Sequence, residues 1–244
     1  MINKNSFIDF LEKAYLNSLT DALKIKSTED TLQIKFINNQ EGFTGDITNN
    51  TLKNIFPIGE YGIFNVKKLI KSLAILGDDV TINIHESQEV PQVEFKDSHT
   101  KLQFTLSDLL IIKPVPNIEE PEYEIEFSLD KKAIDTFIKG KNAMDSEVFC
   151  ISTDFDNSIT ILIGDNVDYS DKIQFNITPL KPSSLFEPIP FNAEWFKEII
   201  SHNKNFTTNK ILLSKKGLMK IEFIEQEGDN EKSKSIYYLI RNQN

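Results

Sequence analysis

Arginine is almost missing from this 244-residue chain: Arg241 is the single one among 27 basic residues. Sequence-directed reading of base edges leans on the guanidinium fork, so the composition argues against a specific transcription-factor type of DNA recognition. Cysteine is equally scarce. Cys150 stands alone, which rules out an intramolecular disulfide and fits a reducing, cytoplasmic setting. No run of about 18 apolar residues occurs, so no membrane span is expected. The first apolar positions are already broken by Asp9, Glu12 and Lys13, which does not fit a signal peptide.

Catalytic constellations are missing too. His85, His99 and His202 lie in unrelated segments without HExxH spacing. Cys150 sits between Phe149 and Ile151 and reads as an inert buried thiol. The Gly140-Lys141-Asn142 step lacks the upstream glycine and the Ser/Thr of a phosphate loop. Two acidic turns, one with Asp154, Asp156 and Asn157 and one with Asp165, Asn166, Asp168 and Asp171, lack the distal Glu of a calcium loop. Asp and Asn favour hairpin turns for backbone reasons, which explains both turns without a metal. An enzyme is not expected, nor any cofactor.

What is present is a segregated charge. The chain is acidic, with 37 Asp and Glu and a formal net charge of −10. Four amphipathic patterns, at 4–18, 65–76, 129–142 and 192–205, carry 11 of the Lys and Arg residues but only 6 of the acids. They sum to +5 and the remainder to −15. Such a protein can repel polyanions in bulk and still hold one on a single surface. Lysines supply point charges suited to phosphates without base preference.

The apolar spacing predicts helices at these four places. Phe7, Leu11, Ala14 and Tyr15 share one face of the first; Val66, Leu69, Ile70 and Leu73 share one face of the second, with Asn65 as its cap and Gly77 ending it. Ala133, Ile134, Phe137 and Ile138 line the third, and Phe196, Ile199 and Ile200 the fourth. Alternating runs predict strands at 22–26, 32–37, 43–48, 80–85, 92–96 and 101–106, and again at 124–127, 148–153, 159–163, 173–178, 210–214, 218–224 and 235–240. Each half thus reads helix, three strands, helix, three strands, a repeat of element order rather than of residues. The class is α+β, with helices on one face of antiparallel sheets. The segment around Pro114, Pro116 and Pro121 reads as a connector lying on a surface, with an edge strand and loop as the alternative. The division is 1–108, a connector at 109–122, and 123–244.

This order, together with "IPFNAEWFKEIISHNKN", "KKGLMKIEF" and "IYYLIR" near the end and "YGIFNVKKLIKSLAILGDDVTINI" in the first half, resembles the DNA polymerase sliding clamps: proliferating cell nuclear antigen and the clamps of tailed bacteriophages. The near absence of a strand before the first helix is closer to the phage members. The proline-rich crossing at 178–191 departs from the family pattern. The resemblance implies a two-domain clamp fold and a processivity factor: a homotrimeric ring around double-stranded DNA that tethers the replicative DNA polymerase and is placed by a clamp loader. A phage-encoded clamp would work in the host cytoplasm. It implies phosphate contacts from helix lysines, here Lys4, Lys13, Lys67, Lys68, Lys71, Lys131, Lys132, Lys139, Lys141, Lys197 and Lys204. It implies closure by the strand at 101–106 on the strand at 173–178 of a neighbour. It also implies a peptide pocket by the connector, here Phe43, Leu110, Ile112, Val115, Tyr238 and Ile240. For the lysines the alternative is a plain solvated helix face, and for Ile240 a core position. A monomeric subunit of the same fold that holds DNA by charge alone is the alternative for the whole chain.

Overall fold

The computed structural model describes residues 2–85, 90–154, 156–164, 170–181 and 187–242. Within them, ten elements run in one order and then repeat it. The first ten are β1 (Ile2–Asn3), α1 (Lys4–Tyr15), β2 (Ala22–Ser27), β3 (Leu32–Ile37), β4 (Phe43–Asn49), β5 (Gly59–Phe64), α2 (Val66–Leu73), β6 (Asp79–His85), β7 (Gln92–Lys96) and β8 (Lys101–Thr105). The second ten are β9 (Ile125–Phe127), α3 (Lys131–Met144), β10 (Val148–Thr153), β11 (Ile159–Gly164), β12 (Lys172–Ile177), β13 (Ile189–Asn192), α4 (Ala193–His202), β14 (Thr208–Leu213), β15 (Leu218–Glu227) and β16 (Asn230–Ile240). Each run is two βαβββ motifs, so the chain holds four.

Contacts divide the chain into two compact units, Met1–Pro116 with Ile224–Ser235, and Asn117–Phe223 with Ile236–Asn244. The turn end of the β15–β16 hairpin therefore groups with the first unit, whereas the sequence reading places it in the second. In the first unit the sheets run β1-β6-β7-β8 and β5-β2-β3-β4, with the start of β16 beside β4. Asn50 donates its backbone N–H to the Lys232 carbonyl there, at 2.9 Å. In the second unit they run β12-β11-β10-β13 and β16-β15-β14-β9. The described pairings are antiparallel, for example Ile34 opposite Ile47 and Ile161 opposite Phe175.

Helices α1 and α2 pack on each other in the first unit, and α3 and α4 in the second. Phenylalanine fills much of the core beside them. Phe7 of α1 meets Phe56 at 5.8 Å and Phe95 at 5.9 Å; Phe137 of α3 meets Phe149 at 4.9 Å and Phe196 of α4 at 4.8 Å. Tilted and edge-on rings of this kind add to simple area burial. All four helices start on an Asn or Asp side chain that accepts from the first turn: Asn3, Asn65, Asp130 and Asn192.

Four short strands and one helix end differ from the periodicity. β5 holds Gly59 and Gly62, which break its apolar pattern. Gly62 is required by closeness: a Cβ there would lie 2.5 Å from the Ser107 carbonyl oxygen. β13 contains Pro190, tolerated because β13 is the edge of its sheet. β1 spans two residues and pairs Ile2 with Val80, and β9 starts one residue late, at Ile125. α2 ends at Leu73, before Gly77. The carbonyls of Ile70, Ser72 and Leu73 accept the N–H groups of Ala74, Ile75 and Leu76, so no left-handed glycine is needed. Gly77 instead donates its N–H to Asp97. Part of the proline-rich crossing, 182–186, and most of the second acidic turn, 165–169, lie outside the described residues.

Candidate nucleic-acid interface

Ten of the eleven expected lysines fall into two chemically distinct groups. Lys67, Lys68 and Lys71 are exposed on α2, opposite the buried Val66, Leu69 and Leu73. Lys131, Lys132 and Lys139 are exposed on α3, opposite the buried Ile134 and Phe137. Among the described residues none of these six has a carboxylate within ion-pair distance.

The other group is consumed by the fold. Lys4 is buried, and its ammonium donates to the carbonyls of Leu76 and of Ala74, the latter at 3.3 Å. It sits just past the C-terminal end of α2, the end where cations are favoured. Lys13 is 2% exposed and lies against Glu225 and, at 3.0 Å, Asp9. Lys141 is buried and reaches Glu194 at 3.3 Å, tying α3 to the first turn of α4. Lys197 is bracketed by Glu194 at 2.7 Å and Glu198 at 3.2 Å. Burial alone would lower the Lys197 ammonium, but hydrogen bonds to both carboxylates outweigh it and raise the pKa. These four ammonium groups are therefore withdrawn from the interface by carbonyls and carboxylates that helix spacing does not reveal. Lys204 is exposed, but it lies in the turn beyond the end of α4.

Four of the six free lysines are also badly placed for helix stability. Lys67 and Lys68 sit in the first turn of α2, and Lys131 and Lys132 in the first turn of α3. Neither first turn holds an acid. A cation at that end opposes the helix dipole, by about 0.3–1 kcal/mol each. α4 follows the stable rule, with Glu194 in its first turn. Cations that weaken their own helices create a strong positive potential, the kind that anionic groups seek at a helix start.

About half of the lysines elsewhere are neutralised. Lys24, Lys35, Lys101, Lys113, Lys181, Lys210 and Lys220 each lie within ion-pair distance of a carboxylate. On the β6–β7–β8 sheet, Glu94 is buried between His85 at 3.1 Å and Lys101 at 2.6 Å, and a hydrogen bond from Lys101 leads the causes that hold its carboxyl below the ordinary value.

The residues expected at a peptide pocket fall in both compact units. In the first unit, Phe43 is buried edge-on to Phe36 and offers no surface. Leu110 is 90% exposed in a short 3-10 turn (Leu109–Ile111), Val115 is half-buried, and Ile112 is buried. Ile112 lines a cleft of about 220 Å³ with Ala22, Phe36, Phe64 and Ile111. Sequence reasoning missed Ala22, Phe64 and Ile111 as cleft-lining residues; the exposed apolar Ile111 beside Leu110 was the available signal. The connector is pinned there by Lys113 on Glu41 at 2.6 Å. In the second unit, Ile240 is half-exposed, and the Tyr238 hydroxyl donates to Glu120 at 2.6 Å. Burial, then the Glu120 hydrogen bond, pushes that phenol up to about 12. Glu120 also accepts from Lys220 at 2.9 Å.

Other polar groups are accounted for locally. Asp154 accepts from Thr160 and its backbone closes a hairpin turn on Ser158. Burial raises the Cys150 thiol above its ordinary value. Among the described residues no cluster of His, Cys, Asp and Glu has metal-binding geometry, and no helix is long and apolar enough to cross a membrane. Gly140 belongs to the close approach of α3 to β11, where an added Cβ would meet Ile163 at 2.9 Å.

Four βαβββ motifs in two units, with paired helices on antiparallel sheets, make the DNA-clamp fold. Solved clamps share it along their whole length. Proliferating cellular nuclear antigen from Entamoeba histolytica matches with a TM-score of 0.72 and 14% identity, over 99% of this chain and 96% of that one. A. fulgidus PCNA, solved with the C-terminal region of FEN-1 bound, matches with a TM-score of 0.76 and 15% identity, over 100% and 97%. The PCNA2–PCNA3 complex from Sulfolobus tokodaii matches with 0.70 and 12%, over 99% and 98%. No protein-family model and no curated protein matches the sequence.

Proposed function

We propose that this chain is a sliding clamp, a non-enzymatic processivity factor whose copies close into a homotrimeric ring around duplex DNA. The observation that carries the reading is the pairing of a full-length clamp fold with six unpaired lysines on α2 and α3 of an acidic chain. Lysines of this kind hold backbone phosphate without reading bases, so the protein can slide. Retention comes from closure rather than from affinity, and a polymerase held by the ring gains effective concentration at the primer end.

Two strand edges favour closure. β8 and β12 end their sheets with no neighbour among the described residues. Both alternate apolar and polar: Leu102 and Phe104 on β8, Ile173, Phe175 and Ile177 on β12, with the last three only half-buried. Head-to-tail addition of β8 to β12 of the next copy would cover both edges, and a two-unit chain closes with three copies. An apolar peptide from a polymerase or loader would dock at the exposed apolar connector, with Leu110 and Ile111 offered and Ile112 beneath. Sedimentation is expected to give a trimer at micromolar concentration. Protein loaded on primed circular DNA should stay bound until the circle is cut. A monomer at that concentration, or loss from intact circles as fast as from linear duplex, would sink the proposal.

A further inference from the structure

The single arginine of the chain is fixed through its backbone and its stem. Arg241 follows the last residue of β16, and its N–H donates to the Gly217 carbonyl at 2.8 Å, while that of Asn242 donates to the Pro190 carbonyl at 2.9 Å. The side-chain stem lies across Gly217, in the turn that joins β14 to β15. Gly217 answers two demands there. Its φ of +87° suits glycine, and an added Cβ would lie 2.5 Å from the Arg241 Cδ. The rest of the turn is basic: Lys215 and Lys216 are exposed, and so is Arg241. The turn's backbone is tied. Lys215 donates its N–H to the Glu124 carboxylate at 2.9 Å, Lys216 to the Ser214 hydroxyl at 3.2 Å and Gly217 to the Ser214 carbonyl at 2.8 Å. The side-chain charges are not. Among the described residues no carboxylate lies within ion-pair distance of Lys215, Lys216 or Arg241. The other unpaired lysines off α2 and α3 are spread one to a strand or turn.

We propose that this turn and Arg241 form an anion site for a protein partner: a short segment rich in Asp and Glu, with one carboxylate on the Arg241 guanidinium and neighbouring ones on Lys215 and Lys216. The site needs neither a ring nor a duplex, so it stands or falls apart from the clamp reading. A guanidinium offers a planar fork that pairs with a carboxylate through two parallel hydrogen bonds, which an ammonium cannot do. Little ordering is left for binding, because the turn's backbone bonds and the packing of the Arg241 stem are already made. The charge beside the turn selects a short ligand. Glu119, Glu120, Glu122 and Glu124 put four acids into six residues, held against this sheet by Lys220 on Glu120 and by the Lys215 backbone on Glu124. An extended polyanion such as a duplex is repelled by that stretch, whereas two or three carboxylates are enough to match the three cations.

Fluorescence anisotropy at low salt tests it, with labelled hexaglutamate as one probe and a labelled short linear duplex as the other. The unaltered chain should bind the peptide. Lys215→Gln with Lys216→Gln and Arg241→Gln should weaken peptide binding at least about tenfold and leave duplex binding within about twofold. Arg241→Lys keeps the charge and the stem over Gly217 but not the fork, and should weaken the peptide about fivefold. Lys67→Gln with Lys68→Gln and Lys71→Gln should do the reverse, sparing the peptide and weakening the duplex. Peptide binding that survives the triple turn variant, or that is lost with the α2 variant instead, overturns the site. A turn variant that loses the duplex as strongly as the peptide overturns the acidic-peptide assignment, and an Arg241→Lys chain that binds as tightly as the unaltered one overturns the fork. Lys215→Gln with Lys216→Gln leaves the Arg241 packing untouched. It should still weaken the peptide about threefold, which keeps the test valid if the triple variant fails to fold.

Discussion

Lys13 is held between Asp9 and Glu225 with almost no exposure, and Lys232 lies 3.8 Å from the same Glu225. Removing the ammonium would leave a carboxylate in a low-dielectric pocket on α1's packing face. Lys13→Met is therefore expected to lower stability by about 3 kcal/mol, and Lys13→Met with Glu225→Leu to recover much of it. Urea unfolding measures both; an unchanged midpoint for the single variant would contradict the burial. Asp97 is a different case, a half-buried residue whose carboxylate accepts backbone N–H groups from Gly77, His99 and Thr100. Those bonds, Gly77's first, hold its pKa down from 3.8 to about 2. A depressed carboxylate stabilises the fold above its unfolded pKa and loses that contribution as pH falls through its folded one. Stability should thus drop between about pH 4 and pH 2 through this group. Asp97→Asn should be less stable at neutral pH and should flatten that part of the acid unfolding curve. A curve of unchanged slope would show that the turn does not depend on the charge.

At the scale of elements, the first turns of α2 and α3 set stability against charge. Lys67→Glu with Lys68→Glu places acids where the dipole favours them, so the folded chain should gain about 0.3–1 kcal/mol per site. Duplex binding should fall in the same variant. Calorimetry and anisotropy on one preparation decide it, and a variant that loses both stability and binding would show that these lysines hold the fold. The helix faces and most strands were legible because burial here follows simple periods: Val66, Leu69 and Leu73 at helical spacing, Leu32, Ile34 and Phe36 at strand spacing. β5 and β13 were not, because Gly62 answers to the Ser107 backbone and Pro190 to an edge position, both set by chain far away in sequence. The lysines follow the same logic. Spacing puts Lys13 off the main apolar stripe and Lys141 on it, three and four residues after Ile138 and Phe137, but does not show that Glu225 and Glu194 wait on other elements. Four of the eleven expected contacts are lost to such partners; of the seven that remain, six sit on α2 and α3, and Lys204 lies beyond the end of α4.

For the whole molecule, charge sets two opposite salt dependences. In the proposed ring each copy carries −10, so three copies brought together repel at long range, and free lysines repel wherever two copies bring them close. Salt screens both repulsions, with a Debye length that shrinks to about 8 Å at physiological ionic strength. Assembly of the free protein should therefore tighten as salt rises. Contact with a short linear duplex should weaken over the same range, because each phosphate–lysine contact gives back condensed counterions, with a slope of about −0.9 per contact. Circular DNA separates closure from contact: a closed ring on an unbroken circle should stay through salt that abolishes binding to the linear duplex. Sedimentation and anisotropy across one salt series read the first two trends, and gel filtration of loaded circles reads the third. If assembly loosens with salt while linear binding weakens, the junction is held by ion pairs rather than by strand pairing and apolar cover, and β8 with β12 is the wrong seam.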